Sequence, residues 1–432
     1  MKSLHAIPVT VSMLLATLSA FNGCATDRSI GSSQEDSIAI SERAEATRTI
    51  ATWNTIALRT TAAGPFSPPQ ETRSMAMVSA AVFDAVNAID GQYEPYVAHI
   101  MTRRDASLIA AAAAAAHRVL AALYPSSATV LDADFDSTLT HIPSGASKEA
   151  GVAAGEAAAE AVLAARTGDH AADHITYVPR NAPGMWAPTP PALLPALEAA
   201  WGSVKPFALD SGSQFRPPPP PALGSADYIR DFLEIQSVGV AGSLSRTAAQ
   251  TEAARFWIST APQLWNQVAR QLTVARALDP ATAARVYLLL NIAGADAMIA
   301  AWDAKFVMHQ WRPVTAIRRA AADGSSPNPL DTTWTPLITT PPFPDYPAGH
   351  TVYAGAAETV LDALLGEAGE VSITSATAAG ATHRYSTVHA VADEVVNARV
   401  WGGVHWRTSS TVGREVGKNV GAIALARVAR KR

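Results

Sequence analysis

The sequence predicts an all-α protein made of packed helical bundles, and three observations lead to that fold class. The chain is rich in alanine, the residue with the highest helix propensity. Charged residues make up only 16% of the 432 residues and hydrophobic residues 48%, a composition that favours closely packed helices over a disordered chain. Apolar residues also recur every three or four positions, and Val78, Val82, Val86 and Ile89 form one such stripe.

Helices are predicted along most of the chain, separated by glycine and proline breaks. Asp105 precedes an alanine tract and is placed to cap a helix that runs to Leu123 and ends before Pro125. The other predicted helices span 71–89, 147–166, 226–236, 247–259, 262–277 and 280–302. The irregular segment 177–224 contains five consecutive prolines at 217–221, which must be extended polyproline. We interpret this segment as a strap packed over the helical body.

The segment 1–25 has the features of an export signal. Lys2 supplies a positive start, and the apolar stretch over 9–21 is too short to span a membrane. Two interpretations of Cys24 stay open: it is the lipidated residue of a bacterial lipoprotein, or it is incidental to an ordinary cleaved signal. Either interpretation predicts an exported protein that is periplasmic, secreted or anchored to the membrane through the lipid.

Charge and cysteine content narrow the classes of function. Lys and Arg number 33 and Asp and Glu number 37, so the formal net charge is −4. This balance argues against non-specific nucleic-acid binding, which needs a basic excess. The single cysteine excludes an intramolecular disulfide framework. We expect a flexible tether over 26–48 and one large helical domain over 49–432, with the chemistry concentrated in 285–425.

The first motif is a lysine and an arginine seven positions apart, Lys305 and Arg312, followed by Pro313. Seven residues are nearly two helical turns, so the two cations are predicted to point the same way. Pro313 disfavours helical backbone at Arg312 and therefore puts the guanidinium at a helix end. Two such cations are by themselves typical of a solvated surface, but apolar neighbours leave this helix little polar surface.

The second motif is Phe-Pro-Asp-Tyr-Pro-Ala-Gly-His over 343–350, followed by a helical run to Leu365. His350 is then expected at the start of the helix, and Gly349 lets backbone N–H groups approach an anion. Taken alone, the segment is equally typical of a capping histidine after a Pro-Gly loop.

The third motif is Arg399 and His405 on either side of Gly402 and Gly403. The two glycines break the helix, so Arg399 ends one element and His405 opens the next. Taken alone, this is also the pattern of a surface arginine and a packed histidine.

Together, one lysine, two arginines and two histidines beside glycine or proline breaks match the needs of a tetrahedral oxyanion. Arginine forks pair with two oxygens at once and lysine adds a point charge. One histidine can bond to the central atom while the other moves protons. In order and spacing, the three motifs resemble those of the vanadium-dependent haloperoxidase and type 2 phosphatidic acid phosphatase superfamily. The resemblance extends over about 50–427 and is strongest to the bacterial haloperoxidase-like branch.

The resemblance implies a helical-bundle fold and a vanadate cofactor bound through His405, with His350 as the acid–base toward hydrogen peroxide. The vanadate oxygens would be neutralised by three cations and one backbone amide, those of Lys305, Arg312, Arg399 and Gly349. The implied reaction oxidises bromide or chloride to a hypohalous species, which halogenates an organic acceptor. The alternative is an exported acid phosphatase or phosphatidic acid phosphatase-like enzyme, in which His405 becomes a phosphohistidine. A third alternative is a surface protein without catalysis.

Two positions depart from the superfamily pattern. The serine of the second motif is Ala348 here, so one hydroxyl donor is lost. A hydrogen bond to a charged group contributes about 1.5–3 kcal/mol, so oxyanion affinity is expected to be about ten- to a hundred-fold weaker. The acid usually found four residues after the last histidine is Ser409, which leaves open how His405 is oriented. We expect a modified site rather than an inactive one.

Other polar residues have structural interpretations. His309 lies inside the helix predicted for the first motif, about 40° round from Lys305, and packing is favoured over a role at the rim of the site. Asp296 and Asp303 are seven positions apart, and salt bridging or helix capping is favoured over a paired-carboxylate site. Alanine-rich helical faces would allow a homodimer.

Overall fold

The all-α prediction is confirmed, since the described residues form thirteen α-helices and one two-stranded hairpin. The computed structural model describes residues 28–64, 67–180, 182–319, 331–366 and 369–432, with side chains from Ile40 onward. The helices are α1 (Arg28–Ala63), α2 (Pro68–Asp90), α3 (Leu108–Leu123), α4 (Ala128–Thr140), α5 (Ala146–Ala165), α6 (Ala226–Val238), α7 (Ala248–Phe256), α8 (Ala261–Ala275), α9 (Pro280–Met308), α10 (Pro313–Arg319), α11 (Gly349–Leu365), α12 (Val388–Trp401) and α13 (Arg407–Arg427). The hairpin strands β1 (Val371–Thr374) and β2 (Thr382–Tyr385) pair antiparallel.

The chain divides after Glu42, and the compact unit Arg43–Arg432 contains every feature discussed below. The export signal and Cys24 lie outside the described residues, so both interpretations of Cys24 stay predictions. The tether expected over 26–48 is instead helical from Arg28 onward. This stretch contains no proline and a single glycine, so no residue in it interrupts the helix.

Helix α9 is the centre of the fold. It packs against α2 and also against α11 and α13. Among the described single helices, it alone has the length and hydropathy of a membrane span, but 94% of that stretch is buried inside the protein. It is therefore the core helix shared by two bundles. We call α2, α3 and α5 the N-terminal bundle, and α9, α11, α12 and α13 the C-terminal bundle.

Both bundles bring helix backbones close together through small residues. In the N-terminal bundle, Gly155 of α5 lies so close to α3 that an added Cβ would overlap the carbonyl oxygen of Ala111. In the C-terminal bundle, Gly413 of α13 lies against the carbonyl oxygen of Ala348, just before α11. The close approach of α13 and α11 brings the second and third motifs together.

The start of α3 differs from the prediction. Ser107, not Asp105, caps the helix, because its side chain accepts a hydrogen bond from the Ala110 amide at 3.2 Å. Asp105 instead makes an exposed ion pair with Arg103. A serine directly before the first helical residue can reach the amide three positions on, which is the usual capping geometry.

The proline-rich segment packs on the elements that carry the motifs, as the strap interpretation predicts. The Tyr346 hydroxyl donates to the Pro218 carbonyl at 2.9 Å. Arg216 forms a two-point ion pair with Asp303 of α9, at 2.7 and 2.8 Å. Upstream in the same segment, three consecutive amides donate to the buried Asp296 carboxylate, those of Phe207, Ala208 and Leu209. The salt bridge predicted for Asp303 is therefore confirmed. The carboxylate of Asp296 is also structural, but it binds backbone amides rather than forming the predicted salt bridge or helix cap.

Candidate functional site

Lys305 is fully buried in the last turn of α9 and holds the loop before α11. Its Nζ donates to three carbonyl oxygens, those of Pro344 (3.0 Å), Asp345 (2.7 Å) and Pro347 (2.5 Å). Burial, with the Arg312 charge nearby, lowers the pKa of Lys305 well below its ordinary value. Three acceptors need three N–H groups, however, and only the ammonium form has them. Lys305 therefore adds positive charge while its donors hold the loop.

Arg312 is not on the helix that carries Lys305, so the expectation of two cations on one helical face is wrong. Helix α9 ends at Met308, and His309 adopts a left-handed conformation with φ 53°. The His309 amide donates back to the Lys305 carbonyl at 2.9 Å, which closes the helix. Arg312 lies in the following turn, directly before Pro313 begins α10.

The Arg312 guanidinium nevertheless enters the same buried space. Its Nε donates to the Phe343 carbonyl at 2.8 Å, and its Nη1 donates to the Val404 carbonyl at 2.7 Å. Nη1 also lies 3.1 Å from Nε2 of His405. Burial lowers the pKa of Arg312 to about 10, against the opposing effect of Asp345. The third nitrogen, Nη2, is buried without a partner.

Arg399 approaches from the last turn of α12. Its Nη1 donates to the Trp257 carbonyl at 2.7 Å, and its Nε is buried without a partner. Burial, and then repulsion from Arg312, lowers the pKa of Arg399 to about 9. Two desolvated arginines that repel one another indicate a place for an anion.

His350 and Gly349 form the first turn of α11, with Ala348 as the N-cap. The first amides of a helix have no intrahelical acceptor and carry the positive end of the helix dipole. Nε2 of His350 lies 3.2 Å from the Ser259 carbonyl, which can only accept, so Nε2 carries the proton. Nδ1 is then free to take up a proton. Burial and the Arg399 charge lower the pKa of His350 well below its ordinary value.

His405 lies between α12 and α13 and is almost fully buried. Its Nδ1 is 3.3 Å from Oδ1 of Asp345. Burial, and then the charge of Arg312, lowers the pKa of His405 well below its ordinary value. A neutral imidazole is the form that binds a metal centre through a ring nitrogen.

Asp345 is the member of this site that the sequence reasoning missed. It is fully buried, and neither carboxylate oxygen has a partner in hydrogen-bond geometry. Its oxygens lie at ion-pair distance from His405 and, at 3.7 Å, from Nη1 of Arg312. Burial raises the pKa of Asp345 to about 6, although Arg312 and Lys305 oppose that rise. The sequence signal that could have identified Asp345 is a single acidic residue inside an otherwise apolar loop flanked by prolines.

The two departures from the superfamily pattern touch each other. Ala348 and Ser409 are both fully buried, and the Ala348 amide donates to the Ser409 carbonyl at 3.1 Å. The Ser409 hydroxyl donates to the Asp345 carbonyl at 3.2 Å. Position 409 therefore lies next to Asp345 in space, although 64 residues separate them.

We call the buried assembly described above the cage. It brings together every predicted site residue of the three motifs and adds one carboxylate; its members are Lys305, Arg312, Asp345, Gly349, His350, Arg399 and His405. His309 lies beside it, with Nδ1 3.3 Å from the Tyr177 hydroxyl. Cys24 lies outside the described residues.

Unpartnered charged atoms are concentrated in the cage. Among the described residues, buried atoms without a hydrogen-bond partner occur in the charged side chains of Arg312, Asp345, Arg399 and Asp231. Asp231 is not a member of the cage, and its other oxygen accepts from the Thr408 amide at 2.8 Å. Buried charged groups are normally hydrogen-bonded. Free guanidinium donors beside a neutral histidine fit a tetrahedral oxyanion such as vanadate or phosphate.

Comparison with known proteins gives three findings. Residues 285–432 match the family model of the VCPO second helical-bundle domain. The vanadium chloroperoxidase of Curvularia inaequalis is 28% identical over 187 residues, which is 36% of this chain and 30% of that relative. This chain therefore spans less than a third of that relative's length.

Two solved structures share the fold over most of the chain. The first bacterial vanadium-dependent iodoperoxidase has a TM-score of 0.75 and 24% identity, covering 90% of this chain and 96% of its own. A holo-type bacterial vanadium-dependent chloroperoxidase has a TM-score of 0.67 and 19% identity, covering 83% of this chain and 92% of its own. At these identities the likeness establishes the fold.

Proposed function

We propose that the protein is a vanadate-dependent haloperoxidase, because residues 285–432 match the family model of the VCPO second helical-bundle domain and carry the three motifs in the expected order. It would use hydrogen peroxide to oxidise bromide or chloride to a hypohalous species that halogenates an organic acceptor. The observation that carries the proposal is the pair of unpartnered guanidinium nitrogens, on Arg312 and Arg399, beside a buried neutral His405.

The chemistry of these donors fits vanadate. Three buried cations face one carboxylate, Asp345, so the cage offers net positive charge to a dianion. Arginine donors and helix N-terminal amides suit equatorial oxygens, and a neutral imidazole nitrogen suits the central atom. Bound vanadate would activate hydrogen peroxide for oxygen transfer to halide without a change in its own oxidation state.

The two histidines would have different roles, which depend on which ring nitrogen of each carries the proton. His405 would hold the vanadium through Nε2, because its other ring nitrogen, Nδ1, faces Asp345 at 3.3 Å. His350 would move the proton of hydrogen peroxide at Nδ1, because its Nε2 proton is held by the Ser259 carbonyl. The low pKa of His350 keeps that nitrogen unprotonated near neutral pH, so it can act as a base.

Aromatic side chains enclose the cage. Phe343 lies over two cations, with its ring centroid 5.1 Å from Nζ of Lys305 and 4.8 Å from Cζ of Arg312. Trp302 contacts Phe343 at 4.8 Å between centroids. These rings keep water away and thereby strengthen the attraction between the cations and a bound anion.

The test is a bromination assay. Anion-free protein is supplied with orthovanadate, bromide and hydrogen peroxide, and bromination of a phenol dye is followed. We expect activity that requires vanadate and is lost in His405→Ala. His170→Ala is the matched control, because His170 is exposed and remote in sequence from all three motifs. No bromination with vanadate, together with phosphate-ester hydrolysis that vanadate inhibits, would favour the phosphatase alternative.

We also propose that the protein is exported and that 49–432 is its functional domain. The basic start, the short apolar stretch and the small residues before 26 support export. Mass spectrometry of the mature N-terminus tests this. A diacylated Cys24 supports a lipoprotein, a cleaved terminus without lipid supports secretion, and an intact Met1 contradicts export.

A further inference from the structure

Asp345 is fully buried at the cage and has no part in the function proposed above. Its backbone is fixed on both sides, because its amide donates to the Gln310 carbonyl at 2.8 Å and its carbonyl accepts from Lys305. Its side chain is therefore held in one place. A fully buried carboxylate without hydrogen bonds is costly unless a nearby group compensates it.

Two ionisable groups lie at ion-pair distance from the carboxylate, and the Ser409 hydroxyl and the Trp406 amide also act on it. Oδ1 is 3.3 Å from Nδ1 of His405, and Oδ2 is 3.7 Å from Nη1 of Arg312. Both distances are within ion-pair range. No other Lys, Arg or His side-chain nitrogen of the described residues lies within 4.0 Å of the Asp345 carboxylate oxygens.

The partners of His405 fix which nitrogen carries the proton. A carboxylate only accepts, so the nitrogen that faces Asp345, Nδ1, must be the donor. Nη1 of Arg312 lies 3.1 Å from Nε2 and 3.3 Å from Nδ1, so it faces both ring nitrogens and does not select between the tautomers. Asp345 faces Nδ1 alone and therefore favours the tautomer in which Nδ1 carries the proton and Nε2 presents its lone pair to the cage.

The residue at position 409 explains why a carboxylate at Asp345 is needed next to His405 in this chain. Ser409 occupies the position of the acid that usually follows the last histidine motif, and its hydroxyl donates to the Asp345 carbonyl. The two positions are neighbours, so a carboxylate from the loop before α11 can occupy the space that a side chain on α13 leaves free.

We propose that Asp345 is the positioning residue of His405: it accepts the Nδ1 proton and so directs Nε2 toward the oxyanion, in place of an acid at position 409. This proposal rests on the proposed function, since it concerns a histidine that bonds to the bound oxyanion. The positioning role should therefore affect the affinity for vanadate and the affinity for phosphate differently. Vanadate uses the His405 nitrogen, whereas inorganic phosphate at equilibrium is held by charge and donors alone.

The test is calorimetric titration of anion-free protein with orthovanadate and, separately, with inorganic phosphate. In Asp345→Asn, we expect vanadate to bind about 10- to 100-fold more weakly, as for the loss of one charge-assisted hydrogen bond. Phosphate should bind as well as in the wild type or better, because a negative charge has left the cage. The ratio of the two affinities is therefore the readout.

Asp84→Asn is the matched control, because Asp84 is also a buried aspartate but lies in α2 and accepts three backbone amides. It should leave the ratio unchanged. If Asp345→Asn weakens both anions equally, or neither, the positioning role is overturned. If the wild type binds no vanadate, the proposed function fails, which is a different result.

A second measurement needs no variant at Asp345. In protein labelled with ¹⁵N-histidine, the ¹⁵N chemical shifts of two imidazoles, those of His350 and His405, should change when vanadate is added. We expect opposite tautomers before addition, with the proton on Nε2 in His350 and on Nδ1 in His405. Two Nε2-protonated rings would overturn the proposal.

Discussion

The N-terminal bundle and the cage both bury charged groups, but they satisfy them differently. In the N-terminal bundle, the carboxylate of Asp84 accepts the amides of Tyr96, Val97 and Ala98 at 2.6, 2.8 and 3.2 Å. In the cage, Arg312 and Arg399 each keep a buried nitrogen without a partner. A buried charge that the chain itself satisfies indicates a structural role, and one that stays unpaired indicates a ligand.

One network of uncharged polar groups between the helices follows the first pattern. Asn54 donates to Asn266 at 2.8 Å, Asn266 to Asn291 at 3.0 Å, and Asn291 to Ser79 at 3.0 Å. This ladder joins α1, α8, α9 and α2. Buried networks of this kind hold a core in one arrangement when every member is satisfied.

The largest expected effect is on anion affinity in Arg399→Gln. Removing the unpaired guanidinium should weaken vanadate and phosphate binding about 100-fold, since charge-assisted hydrogen bonds contribute about 1.5–3 kcal/mol each. The free energy of unfolding without anion should not fall, because a buried cation repelled by other cations has been removed. Calorimetry and urea unfolding measure the two quantities.

Arg166→Gln is the control for that variant. Arg166 is also buried, but its guanidinium is satisfied by Asp169 and by the carbonyls of Lys205 and Pro206. It should lose stability and keep its anion affinity. Equal anion affinities in the two variants would contradict the claim that an unpaired buried arginine binds the anion and a paired one does not.

The next effect is on stability in Asp84→Asn. An amide oxygen replaces two carboxylate oxygens that accept three N–H groups, and we expect the free energy of unfolding to fall by about 2–3 kcal/mol. Anion affinity should stay within a factor of two of the wild type. Urea unfolding in anion-free buffer measures the change, and an unfolding curve like that of the wild type would contradict the structural role.

A smaller gain is expected from Ala348→Ser. A hydroxyl at the N-cap of α11 would add a donor to the bound oxyanion, and we expect affinity about tenfold tighter. Serine also caps a helix better than alanine, so stability should rise slightly. Ala348→Gly separates the two effects, since glycine improves the cap without a hydroxyl and should leave the affinity unchanged. Calorimetry with vanadate measures both variants.

The smallest effect is a pH dependence beside the cage. Nδ1 of His383 lies 2.6 Å from Glu394, which raises the pKa of His383 and lowers that of Glu394. A raised histidine pKa stabilises the fold at low pH, and that stabilisation is lost as pH rises through the folded-state pKa. The free energy of unfolding should fall by about 1 kcal/mol or less between pH 6 and 9.

His383→Gln tests this dependence, because it removes the titrating ring. The difference in unfolding free energy between the wild type and the variant should shrink as pH rises. A difference that is constant with pH would show that the ion pair does not act on stability.

More of the residues in the cage than of the individual helices and strands could be predicted from the sequence. Glycine and proline breaks next to Arg312, His350 and His405 fixed three local geometries, and their spacing matched a known pattern. Asp345 was not recognised because its importance arises only when α13 packs on the loop before α11. That contact is made by Gly413, whose role depends on a partner 65 residues away.

Helices with a clear apolar stripe or alanine tract were predicted. Elements that depend on packing against other parts of the chain were not. The apolar stripe of α2 and the alanine tract of α3 were evident in the sequence. Helix α4 has a single buried residue, Leu131, and so little apolar periodicity. The β1–β2 hairpin is only four residues a strand and depends on packing against α8.

The most direct test of the central claim, that the unpaired charges of the cage bind a tetrahedral oxyanion, is calorimetric titration of anion-free wild-type protein with orthovanadate. We expect one site per chain with a dissociation constant of about micromolar or tighter, equivalent to a binding free energy of about 8 kcal/mol or more, and an affinity about 100-fold weaker in Arg399→Gln. No binding of vanadate or phosphate at millimolar concentration would contradict it.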